Sequence, residues 1–171
     1  MKERRFDELV RQHVGAVTAY ARAMTSDHWT ADDAVQETLL RAWKYQDSFQ
    51  ASGSFEGWLL RICRNCIIDL ANKRHSHDTI DSVIERIAQP AEIAPHEIEE
   101  LLARVPVAQR EVLVLCGILG YDHNSAATLL DVPVGTIKSR LFRGRETLAA
   151  LMAADAAADT AHGSIPQGKT A

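Results

Sequence analysis

Residues 122–143 read DHNSAATLLDVPVGTIKSRLFR, and this stretch decides the architecture. Asp122 can cap a helix of about ten residues. Asp131-Val132-Pro133-Val134-Gly135 then makes the turn into a last helix running to about Met152. In that helix Ile137, Leu141, Leu148 and Leu151 fall on the inner side, while Lys138, Ser139, Phe142, Arg143 and Glu146 point out. A short helix, a tight turn and a basic helix make a helix-turn-helix, whose second helix suits the DNA major groove.

Upstream, Val107 to Leu119 forms a helix ending at Gly120 as a C-cap would, after a short helix from about His96 to Arg104 that Pro106 stops. In the first half Phe6, Leu9, Val10, Val14, Val17, Tyr20, Ala21 and Met24 recur at three- and four-residue spacings, one apolar stripe along a helix. Thr30 followed by Asp33 resembles a capping box that starts a second helix. Its inner positions are Ala34, Val35, Thr38, Leu39, Ala42 and Trp43, and its outer ones Asp32, Asp33, Gln36, Glu37, Leu40 and Arg41. After a loop at Ser48–Ser54, a third helix carries Phe55, Trp58, Leu59, Ile62, Cys66, Ile67 and Leu70 on one side and Arg61, Arg64, Asn65, Asp69, Asn72, Lys73 and Arg74 on the other. The fold class is all-α: a helical domain over 1–77, an acidic linker over 78–95, a helix-turn-helix domain over 96–152 and a disordered tail over 153–171.

The chain's formal net charge of −4 and pI of about 6.0 argue, taken whole, against a nucleic-acid binder. Residues 52–77, however, carry 4 positive and 2 negative side chains, 135–151 carry 4 and 1, and 78–100 carry 1 and 7. Two basic segments are separated by an acidic one, so DNA contact is expected from two local faces. The longest apolar run, Val112 to Leu119, is far short of the roughly 20 residues that span a bilayer. With no apolar h-region behind the charged start, a cytoplasmic location is expected, without membrane insertion.

Cys63, Cys66 and Cys116 are an odd count with no export signal, which disfavours a disulfide framework. Cys63 and Cys66 with His75 and His77 are the one metal-like constellation, but both cysteines fall inside a helix, where packing is the stronger reading. We therefore expect no metal site, no cofactor and no catalytic residue. No nucleophile elbow, phosphate-binding loop or paired-carboxylate site is present in the sequence.

Three runs, Ala31 to Trp43, Phe55 to Asn65 and Pro133 to Arg143, closely resemble the extracytoplasmic-function (group IV) sigma factors of bacterial RNA polymerase, in the right order and at the right intervals. The resemblance covers residues 6 to about 152. It implies a region 2 domain of three or four helices and a region 4 helix-turn-helix domain joined by a flexible linker, and a protein that directs core polymerase to promoters without catalysis of its own. It further implies docking of the polymerase β′ clamp helices on Asp32, Asp33, Gln36, Glu37, Leu40 and Arg41, with the β flap as a second polymerase contact. Capture of the single-stranded −10 element is implied at Ser48, Phe49, Arg61, Arg64, Asn65, Asp69, Lys73 and Arg74. Reading of the duplex −35 element is implied at Thr136, Lys138, Ser139, Arg140, Phe142 and Arg143. An anti-sigma factor is the implied regulator.

Capture of an unstacked base offsets duplex opening at about 1.4 kcal/mol per stacked step. Where the family commonly shows Ser-Tyr-Glu-Glu-Ile-Ala, this chain has Asp122-His123-Asn124-Ser125-Ala126-Ala127, so the capping and support of that helix must differ. The alternative is a sigma-like decoy that binds an anti-sigma factor without reading DNA, which the basic residues Lys138 and Arg143 disfavour.

Overall fold

The computed structural model describes residues 2–50, 53–76 and 97–162; the expected linker at 78–95 and residues 163–171 of the expected tail lie outside them. The first apolar stripe forms α1 (Lys2–Met24), with Val17, Tyr20 and Ala21 buried. Helix α2 (His28–Lys44) begins earlier than the expected Thr30–Asp33 box. Its N-cap is Asp27, whose carboxylate accepts both the Thr30 amide (2.8 Å) and the Thr30 hydroxyl (2.7 Å), drawing Thr30 into the first turn. A second correction concerns Trp43, expected inside but 61% exposed. The inner seam is Ala34, Thr38 and Ala42, each fully buried. Such small residues bring α2 close to its neighbours and leave the indole outside. Thr38 satisfies its buried hydroxyl on the Ala34 carbonyl at 2.6 Å.

A 3₁₀ turn (Gln46–Ser48) leads toward α3 (Phe55–Ser76). Leu60 and Cys63 are fully buried beside the expected Leu59 and Cys66, because α3 packs on α1, on α2 and on a helix of the second half. The second half comprises α4 (Glu97–Ala103), α5 (Val107–Leu113), α6 (His123–Leu130) and α7 (Val134–His162). The expected continuous helix to Leu119 widens into a π-helical turn over Val114–Ile118. Leu119 donates to Val114 and Tyr121 to Leu115, and Gly120 takes a φ of 74° that reverses the chain. Asp122 caps α6, its carboxylate accepting the amides of Asn124 and Ser125 and the Ser125 hydroxyl. Chiefly the Ser125 hydroxyl bond holds the Asp122 carboxyl below the usual carboxylate range.

Helix α7 corrects the expected end near Met152 by running on through 153–162. The segment is rich in alanine, the strongest helix former, and Arg104 grips Asp155 at 2.8 and 2.7 Å. The halves are not separate bodies: α1 packs on α4 and α5, α3 packs on α6, and one buried cluster runs from Val17, Tyr20 and Leu59 to Leu102, Val112 and Leu115. Among the described residues no helix is long and apolar enough to cross a membrane.

Helices α5 and α7 cross at Gly144, where a Cβ would lie 3.0 Å from Leu113 Cγ and 3.1 Å from its Cδ1. Leu113 is itself buried and has little room to retreat. Gly144→Val is therefore expected to destabilise the protein by about 1–3 kcal/mol through overpacking. Urea unfolding checks this as a lower midpoint at an unchanged slope; an unchanged midpoint contradicts the close crossing.

Candidate nucleic-acid interface and docking face

The turn at Asp131–Pro133 starts α7 in a fixed direction. Asp131 takes the left-handed conformation at φ 54° as the α6 cap, and its amide donates to Ala127. Ile137 and Leu141 are buried, and Thr147 donates to Gln109 Oε1 at 3.1 Å, so the rotation of α7 about its axis is set. Lys138, Ser139 and Arg143 then stand exposed, with Phe142 64% exposed among them. Thr136 and Arg140 flank this face half-buried. It offers hydroxyl and cationic donors with one apolar ring, the set that phosphates, guanine edges and thymine methyls accept.

On α2, Asp32, Asp33, Gln36 and Leu40 are exposed as expected. Trp29, at 70%, and Trp43 lie on the same face, seven residues to either side of Gln36. The spacing was the available signal for both indoles. Glu37 and Arg41 are different, half-buried and turned to the side. Arg41 donates to Asp69 on α3 (2.8 Å) and to Glu37 (2.6 Å), and these two carboxylates, Asp69 first, push its pKa above the ordinary arginine value.

The residues read as a single-strand face separate into distinct settings. Ser48, Asn65 and Lys73 are exposed, and Ser48 donates to the Tyr45 carbonyl at 2.7 Å. Phe49 is half-buried, edge-on to Phe55 at 5.1 Å and tilted against Trp58 at 5.5 Å, so it supports the loop by packing. The Arg74 side chain lies outside the described residues. Arg61 donates to the Thr128 carbonyl of α6 at 2.9 Å, and Arg64 donates to Glu111 of α5 at 2.7 Å.

Glu111 is a residue that sequence reasoning missed. It is only 5% exposed, and its Oε1 also accepts the Tyr20 hydroxyl at 2.6 Å. Burial, followed by the Glu111 charge, drives the Tyr20 pKa far above the ordinary tyrosine value. A second bridge runs the other way. Tyr121 of the second half donates to Glu56 Oε1 at 2.9 Å, while Glu56 Oε2 meets His13 Nδ1 at 3.0 Å. Burial, followed by the bond to Glu56, raises the Tyr121 pKa. Neighbouring Arg110 is also buried and donates to the carbonyls of Ala103 (2.6 Å) and Val105 (3.0 Å), closing the turn between α4 and α5.

Cys63 and Cys66 are buried beneath α2, each within hydrogen-bond reach of the Thr38 hydroxyl. Burial pushes the Cys63 thiol up to about 12 and raises Cys66 and the half-buried Cys116. No group of three metal-ligating side chains occurs among the described residues, and the side chains of His75 and His77 lie outside them.

Residues 9–77 match the family Sigma-70 region 2, and residues 96–148 match Sigma-70, region 4. The ECF RNA polymerase sigma factor EcfG of Rhodopseudomonas palustris is 38% identical over 152 residues, which span 85% of this chain and 84% of that one. The ECF RNA polymerase sigma factor SigM of Mycobacterium tuberculosis is 33% identical over 152 residues, 86% of this chain and 76% of its own. Among solved structures, the sigma factor RpoE in complex with the anti-sigma factor NepR from Bartonella quintana gives a TM-score of 0.75 at 30% identity, covering 88% of this chain and 98% of that one. CnrH in complex with the cytosolic domain of CnrY gives 0.70 at 30% identity, covering 90% of each chain.

The thiol environment makes a direct prediction. At pH 7.5 Cys63 and Cys66 should resist a thiol-labelling reagent in the native protein and react fully in denaturant, because the thiolate is the nucleophile and burial suppresses it. Mass mapping of the labelled peptides checks this; rapid native labelling of Cys63 contradicts the placement.

Proposed function

The chain belongs to the extracytoplasmic-function sigma factors of RNA polymerase, and from that premise we propose how its faces divide the work of directing the polymerase to promoters. The observation that carries the proposal is the outer face of α7, where Lys138, Ser139, Phe142 and Arg143 stand free of the core that Ile137 and Leu141 anchor. This face enters the major groove of the −35 element. Arg143 and Lys138 reach base edges and phosphates, Ser139 supplies a hydroxyl, and Phe142 contacts a thymine methyl. Thr136 and Arg140 at its flanks hold the backbone.

The α2 face docks the polymerase β′ clamp helices. Its apolar centre is Leu40 with Trp29 and Trp43, and its rim is Asp32, Asp33 and Gln36. Glu37 and Arg41 act from the side, tying the docking helix to Asp69. On α3, Asn65 and Asp69 meet unstacked bases of the −10 element, and Arg61, Arg64 and Lys73 hold the strand by its phosphates. The second half meets the polymerase at the β flap. An anti-sigma factor restrains the protein, a reading supported by the complex in which RpoE was solved with the anti-sigma factor NepR. A decoy that only bound such a regulator would have no use for the exposed basic face of α7. The protein makes and breaks no covalent bond in this role; binding energy alone selects the promoter and favours the open strand.

Arg143→Ala should weaken binding to −35 duplex by about 1–3 kcal/mol while leaving polymerase binding intact. Fluorescence anisotropy with core enzyme present reads this directly, and an unchanged affinity removes Arg143 from the reading face. The pair Gln36→Arg and Leu40→Asp should abolish co-purification with core polymerase. Persistence of that complex, together with run-off transcription, would move the docking face off α2.

A further inference from the structure

Helix α3 turns one large apolar side chain away from the core. Ile68 is 42% exposed and stands outside the cluster that takes Ile62 and Ile67. It lies about half a turn around the helix from the fully buried Leu59 and Cys66. A single exposed isoleucine is ordinary by itself; its neighbours are what set this one apart. At 3.6 residues per turn, Arg61, Asn65, Ile68 and Asn72 fall within about 80° of arc and about 16 Å of helix length. The three polar members are exposed, and among the described residues neither asparagine amide has a hydrogen-bond partner. No carboxylate lies on the arc, and Asp69 at its edge has its charge paired with Arg41 at 2.8 Å.

This combination selects one kind of partner. A protein interface buries about 800 Å² on each side around an apolar centre, and a lone isoleucine ringed by amides and a guanidinium does not supply that centre. A base edge matches it. Asparagine pairs with adenine, a guanidinium pairs with guanine, and the one apolar group presented on the same edge is the C5-methyl of thymine. The arc is as long as about five base steps at 3.4 Å each. The same mixture stands on α7, where Phe142 is exposed among Lys138, Ser139 and Arg143.

We propose that Ile68 is a specificity-determining residue of α3, packing on the C5-methyl of a thymine in the −10 element while Asn65 and Asn72 bond the edges of bases on either side. The inference rests on the −10 assignment of α3, and adds to it the residue that chooses a base and the group by which it chooses.

Holoenzyme reconstituted from core polymerase and the full chain tests this on a random duplex library, with the retained fragments sequenced to give the −10 motif. Wild type should prefer thymine at one −10 position. Ile68→Ala should weaken that preference about fourfold, the worth of one buried methyl group, and Ile68→Val, which keeps a branched apolar face, should retain it. Selection at the −35 element should be the same in all three, which shows that the variants are folded and loaded on the polymerase. Replacing the preferred thymine by deoxyuridine in one selected fragment removes the methyl and nothing else. Wild-type affinity should then fall about fourfold, and that of Ile68→Ala should hardly change.

Equal binding of the thymine and deoxyuridine fragments by wild type overturns the proposal. So does an equal loss in Ile68→Ala, which would give the methyl to another residue. Loss of polymerase binding by Ile68→Ala with an unchanged motif would overturn it in favour of a protein contact. Asn65→Ala separates this inference from the reading beneath it: a −10 motif altered by Asn65→Ala but not by Ile68→Ala refutes the role of Ile68 and leaves α3 as the −10 reader, whereas a motif indifferent to both removes α3 from that role altogether.

Discussion

A carboxylate placed where water cannot reach it must find its partners within the protein, and Glu111 finds them on two different helices. Its Oε1 takes the Tyr20 hydroxyl of α1 and the Arg64 guanidinium of α3. Losing one member of such a set leaves a buried charge uncompensated, typically about 3–5 kcal/mol. The relative placement of α1, α3 and α5 is therefore held by a directional requirement as well as by apolar contact, which alone would tolerate sliding. Arg110 beside it serves the turn into α5 by satisfying two carbonyls, and burial lowers its pKa without removing its charge-assisted bonds. Two adjacent ionic residues thus organise different contacts of one helix, Glu111 with α1 and α3 and Arg110 with the turn after α4.

The outer faces of α7, α2 and α3 differ in how far the fold leaves them open to solvent. The α7 face is complete as it stands: its inner side is sealed by Ile137, Leu141 and the crossing at Gly144, and its outer side is turned to solvent. The α2 face is likewise open, with two indoles and Leu40 in water at a hydrophobic cost that a partner would recover. Only α3 is engaged on its inner side. The interface between the halves combines the shared apolar cluster with two tyrosine–glutamate bonds, one arginine–glutamate pair and one arginine–carbonyl bond, so it is held by directional contacts as well as by burial.

Much of this was legible in the chain. Periodicity placed the helices, because burying one stripe of a helix imposes three- and four-residue spacing whatever the partner. Polar residue types at Lys138, Ser139 and Arg143, set against Ile137 and Leu141, identified the outer face of α7. The failures were local contests. Asp27 outcompeted Thr30 as the α2 cap because its carboxylate serves two donors at once. Trp43 fits the apolar pattern of α2, yet the small-residue seam of Ala34, Thr38 and Ala42 leaves the indole outside. Alanines beyond Met152 read as a tail, yet one arginine gripping Asp155 extends a helix they already favour.

Sequence alone determined the all-α class, the helix-turn-helix, the uneven charge along a chain of net −4 and the family to which the protein belongs, since these depend on residue types at short separations. Only the tertiary structure decided what Glu111, Tyr20 and Arg64 do. They are separated by 91 and 47 positions, and no local pattern marks a glutamate whose partners lie on other helices. A charge declares itself structural only when folding removes its water, and which charge loses its water is settled by how the two halves pack.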